Sequence, residues 1–118
     1  MSKRWIVAAV TVALLAVPVH ADISAHWELH ANFDDRGIPG AFADCTFKQE
    51  GQRLSGRCED ATLTGEIKGE TVTWQLTLAG SHDILTFTGH LDDDDTVIVG
   101  RFVYAGKGDG SFLAVRRQ

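Results

Sequence analysis

The stretch CTFKQEGQRLSGRC, Cys45–Cys58, decides how this chain folds. Gly51 and Gln52 read as a two-residue hairpin loop, because a leading Gly suits a type II′ turn between antiparallel strands. Such a turn sets Glu50 opposite Arg53. Counting outward then pairs Lys48 with Ser55, Phe47 with Gly56, Thr46 with Arg57 and Cys45 with Cys58. The cysteines fall on a non-hydrogen-bonded site, where strand Cα atoms approach to about 4.5 Å, at the short edge of what a disulfide tolerates. The chain has two cysteines in all, so this hairpin predicts one cross-strand disulfide. No Cys-x-x-Cys spacing or neighbouring His points to a metal or a catalytic thiol.

Two further hairpins extend the pattern. A turn at Gly69-Glu70 pairs Ile67 with Val72, Gly65 with Trp74 and Leu63 with Leu76. A turn near Asp93-Asp94 pairs Leu91 with Thr96, Gly89 with Ile98, Phe87 with Gly100 and Leu85 with Phe102. Three times an aromatic ring faces a glycine, and such a ring covers the gap that a strand glycine leaves. No helical period of useful length appears, while apolar and polar residues alternate between turn signals. The reading is eight strands, near 23–33, 42–50, 53–59, 61–68, 71–79, 84–92, 95–104 and 110–117. Short sequential antiparallel strands of this kind predict an all-β fold, a single eight-stranded up-and-down β-barrel, with a two-sheet β-sandwich as the alternative. The inward set is Ile23, Ala25, Trp27, Leu29, Cys45, Phe47, Leu54, Leu63, Ile67, Val72, Trp74, Leu76, Leu78, Leu85, Phe87, Leu91, Ile98, Phe102, Tyr104 and Phe112. So many large groups predict an interior filled by side chains.

Ahead of this domain, Lys3 and Arg4 precede an apolar run from Trp5 to Val17 and the tripeptide Val19-His20-Ala21. That is the layout of a secretory signal cleaved after Ala21, and the run is shorter than the roughly 20 residues of a membrane span. Residues 1–21 are therefore read as a signal peptide and 22–118 as the barrel domain, destined for the periplasm or the exterior, where a disulfide persists. The signal holds two of the eleven basic residues and no acid, so the remainder carries nine basic against sixteen acidic side chains, net −7 with His neutral. An acidic domain repels phosphate backbones and anionic lipid, which argues against nucleic-acid and membrane partners.

In a meander the loops alternate ends. The tight turns gather at one end, and the longer segments Asp34 to Ala41, Glu59-Asp60, Gly80 to Asp83 and Ala105 to Asp109 form an acidic mouth at the other. Trp27, Trp74, Phe102 and Tyr104 are the candidate ligand-binding residues, since rings lining a barrel hold small apolar molecules. Val97, Val99, Val103, Leu113 and Val115 would form an outward apolar patch, a candidate interface for a second copy or a partner protein. Other clusters have plainer readings. His26, Glu28 and His30 share a strand face but sit nearly 7 Å apart at each step, too far for one metal. Ser81, His82 and Asp83 are adjacent and cannot converge on one reacting atom. Asp92 to Asp95 lacks the spaced oxygens of a calcium loop. No catalytic residue, metal site or cofactor motif is assigned.

The segments Thr71-Val72-Thr73-Trp74 and Leu85-Thr86-Phe87-Thr88-Gly89 resemble the fifth and sixth strands of avidin-type barrels, small calycin-type folds related in layout to lipocalins. The resemblance implies an up-and-down barrel that binds a small molecule. Avidin-type proteins present further tryptophans and inward polar groups to biotin, whereas this inward face is almost wholly apolar, with Ile98 and Phe102 on its seventh strand. No biotin site is carried over. The segment Trp27-Glu28-Leu29 is also similar to the early tryptophan strand of small periplasmic protease inhibitors, which are exported disulfide-containing barrels. Those act through a segment preceding the barrel, and here Asp22 to Ala25 occupies that place. The leading expectation is a non-enzymatic exported barrel that binds a small apolar ligand, and the alternative is a protein-interaction or hydrolase-inhibitor module with a filled core.

Overall fold

A computed structural model describes residues 21–117. The signal read at residues 1–21 therefore lies, but for Ala21, outside the described residues. The chain forms β1 (Ala25–Phe33), β2 (Ala41–Glu50), β3 (Arg53–Cys58), β4 (Ala61–Lys68), β5 (Thr71–Thr77), β6 (Ile84–Leu91), β7 (Val97–Tyr104) and β8 (Gly108–Arg116). Each strand pairs antiparallel with the next, and β8 returns to β1, closing the barrel. Closure removes both sheet edges, which a sandwich would have left open.

The first two hairpins follow the register that their turns dictate. Cys45 faces Cys58 and Phe47 faces Gly56, while Gly65 faces Trp74. Cys45 and Cys58 are disulfide-bonded, with Cα atoms 4.0 Å apart. Gly51 has φ 65°, as the first central residue of a type II′ turn requires. At Gly56, φ is 143° and a Cβ would run into the Thr46 carbonyl oxygen, so only glycine lets β3 approach β2 there.

The third hairpin departs from the expected register by two residues. Leu91 pairs with Ile98, Gly89 with Gly100, Phe87 with Phe102 and Leu85 with Tyr104. The loop is longer than a tight turn because the Asp92 carboxylate accepts the Thr96 and Val97 N–H groups at 2.8 and 3.0 Å. A slip of two leaves every side chain on its own face. The ring opposite Gly100 is consequently not Phe87 but Phe112, which faces Gly100 from β8. The Phe112 ring edge also lies where a Cβ on Gly89 would point.

Inside, a chain of rings runs the length of the barrel. Centroid separations are 5.1 Å for Phe33–Phe102, 5.4 Å for Phe102–Phe87, 5.0 Å for Phe87–Trp74, 5.2 Å for Trp74–Phe47 and 5.7 Å for Phe47–Trp27. Offset and edge-on ring pairs at these distances add to plain burial. The end of this column at Trp27 is stoppered. Residues Ala21 to Ser24 do not extend β1 but fold across the opening, burying Ile23 completely. The stopper is tied by hydrogen bonds from Ile23 N–H to Gln49 Oε1 at 2.9 Å, from Gln49 N–H to Ser24 Oγ at 2.9 Å and from Trp27 Nε1–H to the Ile23 carbonyl at 2.9 Å. Arg116 donates to the Asp22 and Ser24 carbonyls and sets its guanidinium 5.9 Å from the Trp27 ring centroid.

Candidate ligand cavity at the open mouth

The opposite end is hollow. Its rim is made of residues 34–40, 59–60, 78–83 and 105–107, the connections that the meander places together. The inward positions just below that rim are small: Ala31 on β1, Ala41 and Ala43 on β2, and Ala61 on β4, with Ala79 of the rim above them. Deeper in the barrel the same positions carry rings and branched chains. Short side chains around the mouth leave space that the aromatic column cannot fill, since Phe33, Phe87 and Phe102 are already packed on one another.

Two adjoining cavities result, sharing Ala31, Ala41, Leu78 and Leu85 in their walls. The first, of about 370 Å³, is lined otherwise by Leu29, Ala43, Cys58, Ala61, Leu76, Ala79 and Phe87, with Glu59 and Asp60 at its edge. The second, of about 340 Å³, takes in Phe33, Ile38, Pro39, Phe102, Tyr104 and Lys107. The disulfide bears directly on the first, because Cys58 contributes to the wall and immediately precedes the Glu59-Asp60 turn.

Polar contacts position the rim. Asp34 accepts Arg101 through both carboxylate oxygens, at 2.9 and 2.6 Å, and its N–H donates to the Asp109 carbonyl at 2.9 Å. These contacts anchor the loop that brings Ile38 and Pro39 over the second cavity, and the Arg101 hydrogen bonds hold the Asp34 carboxyl below its ordinary pKa. The Tyr104 hydroxyl donates to Asp83 at 2.8 Å, a bond that raises the phenol above its usual value, while Lys107 lies 5.2 Å from the Tyr104 ring centroid. On the other side, Glu59 Oε2 accepts the Asp44 N–H at 2.8 Å, and Arg57 donates to the Glu59 carbonyl at 3.2 Å.

The structure separates the four candidate ligand residues. Phe102 and Tyr104 line the second cavity. Trp27 does not reach the mouth, because β1 begins at the stoppered end and Trp27 is one of its first residues. Trp74 sits midway in the ring column, buried, its Nε1 without a hydrogen-bond partner among the described residues. It stacks on Phe87, which does line the first cavity. Absent from the expected inward set are Ala31, Ala41, Ala43 and Ala61, the residues that create the space. Their place in the alternation was visible, but their effect on volume depends on which strands meet at that height.

The outward patch is also redistributed. Val99 and Leu113 are partners across β7 and β8 and exposed, and Val103 is exposed beyond them, whereas Val97 and Val115 are half-buried. Phe42 joins the patch unforeseen: it is exposed and packs on His30, which faces Leu113. In the remaining clusters, Glu28 is engaged by Arg117 and lies 3.5 Å from His30, and the Asp83 N–H donates to Ser81 Oγ at 3.2 Å. The chain matches no protein-family model and no curated protein.

Proposed function

We propose that this protein is an exported, non-enzymatic barrel that takes the apolar part of a small molecule into its mouth. The observation carrying this reading is the alanine-walled first cavity, open at one end and apolar but for two edge carboxylates. Its volume of about 370 Å³ falls at the small end of ligand pockets, which span roughly 300–1,000 Å³. The wall polarity supports a water-facing barrel, since apolar side chains point inward and polar ones outward along β3 to β5, the reverse of a membrane-spanning barrel. Export is supported by the Cys45–Cys58 disulfide, which is consistent with an oxidising compartment, and by the signal pattern ending at Ala21. Titrating the purified protein with octanol, followed by calorimetry and tryptophan emission, tests the binding reading. Saturable heat with a change in Trp74 emission is the expected result, because only the Phe87 ring separates Trp74 from the cavity. Absence of heat across a series of short alcohols and alkanes would overturn it.

A second reading rests on the row Phe42, Leu113 and Val99, exposed on β2, β8 and β7 and bridged by His30 of β1. A two-fold axis through that row would set it against a second copy of the chain. Sedimentation should then report a dimer that Val99→Asp dissociates, and a monomer unaffected by that change refutes this reading.

A further inference from the structure

We propose that the mouth selects amphipathic cations, with the apolar tail in the first cavity and the positive head held by Glu59 and Asp60. This rests on the binding reading above and adds the charge of the ligand to it. The two carboxylates are consecutive, exposed and both part of the cavity edge, and no basic side chain lines this cavity among the described residues. A ligand whose tail fills the space between Ala31, Ala43, Ala61 and Leu76 leaves its other end at the mouth, where Glu59 and Asp60 edge this cavity, because the inward direction is blocked by the ring column and the Ile23 stopper.

Nearby positive groups are already directed elsewhere. Arg57 donates through Nε to the Glu59 backbone carbonyl rather than to its carboxylate, and Lys107 belongs to the second cavity, beside Tyr104 and Asp83. The Asp44 N–H donates to Glu59 Oε2 and so fixes that carboxylate at the turn. An ammonium head arriving here meets two carboxylates, with the Arg57 guanidinium beside the turn offsetting only part of their charge. An anionic head of the same length meets repulsion, and a neutral one neither.

The test compares octyltrimethylammonium and octyl sulfate below their micelle concentrations with octanol below its solubility limit, by calorimetry on the intact disulfide-bonded protein. The expected order is ammonium tightest and sulfate weakest, with the spread shrinking as salt is raised, since partly exposed charges are screened. Exposed ion pairs are each worth up to about fivefold in affinity, so Glu59→Gln with Asp60→Asn should erase most of a preference of that size per carboxylate. Gln retains an oxygen for the Asp44 N–H, and unchanged octanol affinity in the double variant shows that the mouth is intact. The double variant Asp93→Asn with Asp94→Asn, which removes the same charge from the stoppered end, must leave the preference in place. If it abolishes the preference equally, the effect belongs to net charge and the proposal fails. Equal binding of all three probes, or tightest binding of the sulfate, overturns the cationic head while leaving the cavity reading standing. Failure of all three to bind removes both.

Discussion

Replacing Ala31 by Leu distinguishes a hollow mouth from a filled one, because the two cases predict opposite signs. Ala31 is buried at 6% exposure and belongs to the walls of both cavities. Leu adds three carbon groups, each worth about 0.8 kcal/mol on full burial. The cavity is open, so about half of that is realised, roughly 1 kcal/mol of added stability. For a domain of this size 1 kcal/mol corresponds to an increase in Tm of about 4–8 °C. The same substituent occupies the space that a ligand tail would use, so octanol affinity should fall as stability rises. Ala114 provides the comparison. It is 1% exposed, faces Leu29 and Ile98, and lines neither cavity. Ala114→Leu should therefore cost the 1–3 kcal/mol typical of overpacking. Thermal unfolding of both variants, with octanol calorimetry on Ala31→Leu, provides the readout. If Ala31→Leu destabilises as much as Ala114→Leu and binding is unchanged, the mouth is packed and the account of the site is wrong.

Three further outcomes follow from the same contacts. Asp34 has a lower pKa folded than unfolded, foremost through its hydrogen bonds to Arg101, so its stabilisation is present above the ordinary carboxylate range and is lost as pH falls through the folded value; Asp34→Asn should flatten that part of the pH dependence of the urea midpoint, and an identical acid profile in the variant would refute the linkage. Reducing the Cys45–Cys58 bond, which closes a loop of sequence separation 13, should cost roughly 3 kcal/mol in urea unfolding, and reactive thiols in the unreduced protein would contradict the bond itself. Gly56→Ala should destabilise well beyond Gly51→Ala, since a Cβ at Gly56 strikes the Thr46 carbonyl while that at Gly51 meets open space; Gly51→Ala should cost only the roughly 1–3 kcal/mol of a strained positive-φ backbone, and equal costs would mean that β2 and β3 are not so close.

What could be read in advance divides along a physical line. The β2–β3 pairing was legible because a two-residue turn fixes register without reference to the rest of the molecule, and Cys45 and Cys58 check the count by falling opposite each other. The β6–β7 pairing was not, because its loop length is set by the Asp92 side chain capping Thr96 and Val97, and a slip of two keeps the alternation intact. Face assignment thus survived where partner assignment did not. The four candidate ligand residues divide by their height in the barrel, Phe102 and Tyr104 lying at the mouth and Trp27 and Trp74 below it. In the antiparallel meander odd and even strands run in opposite directions, so residues at the same place in their own strands lie at opposite ends of the barrel. Trp27, near the start of β1, lies by the stopper, whereas Ala61, at the start of β4, lies by the mouth.

Height in the barrel, rather than inward or outward facing, is what turns the alanines into a site. Alternation alone marks Ala31, Ala43 and Ala61 as inward and gives them no more weight than any small core residue. Only when β1, β2 and β4 are closed into a ring do these alanines share the wall of one cavity, with Leu76 and Leu85 from β5 and β6 completing it. The large residues that dominate a sequence reading are then the ones that limit the cavity rather than form it. Trp74 and Phe47 fill the middle, and Ile23 and Trp27 close the far end. In the proposed reading, binding depends on where side chains are short. That is why Ala31 rather than Trp27 is the residue on which the functional reading stands.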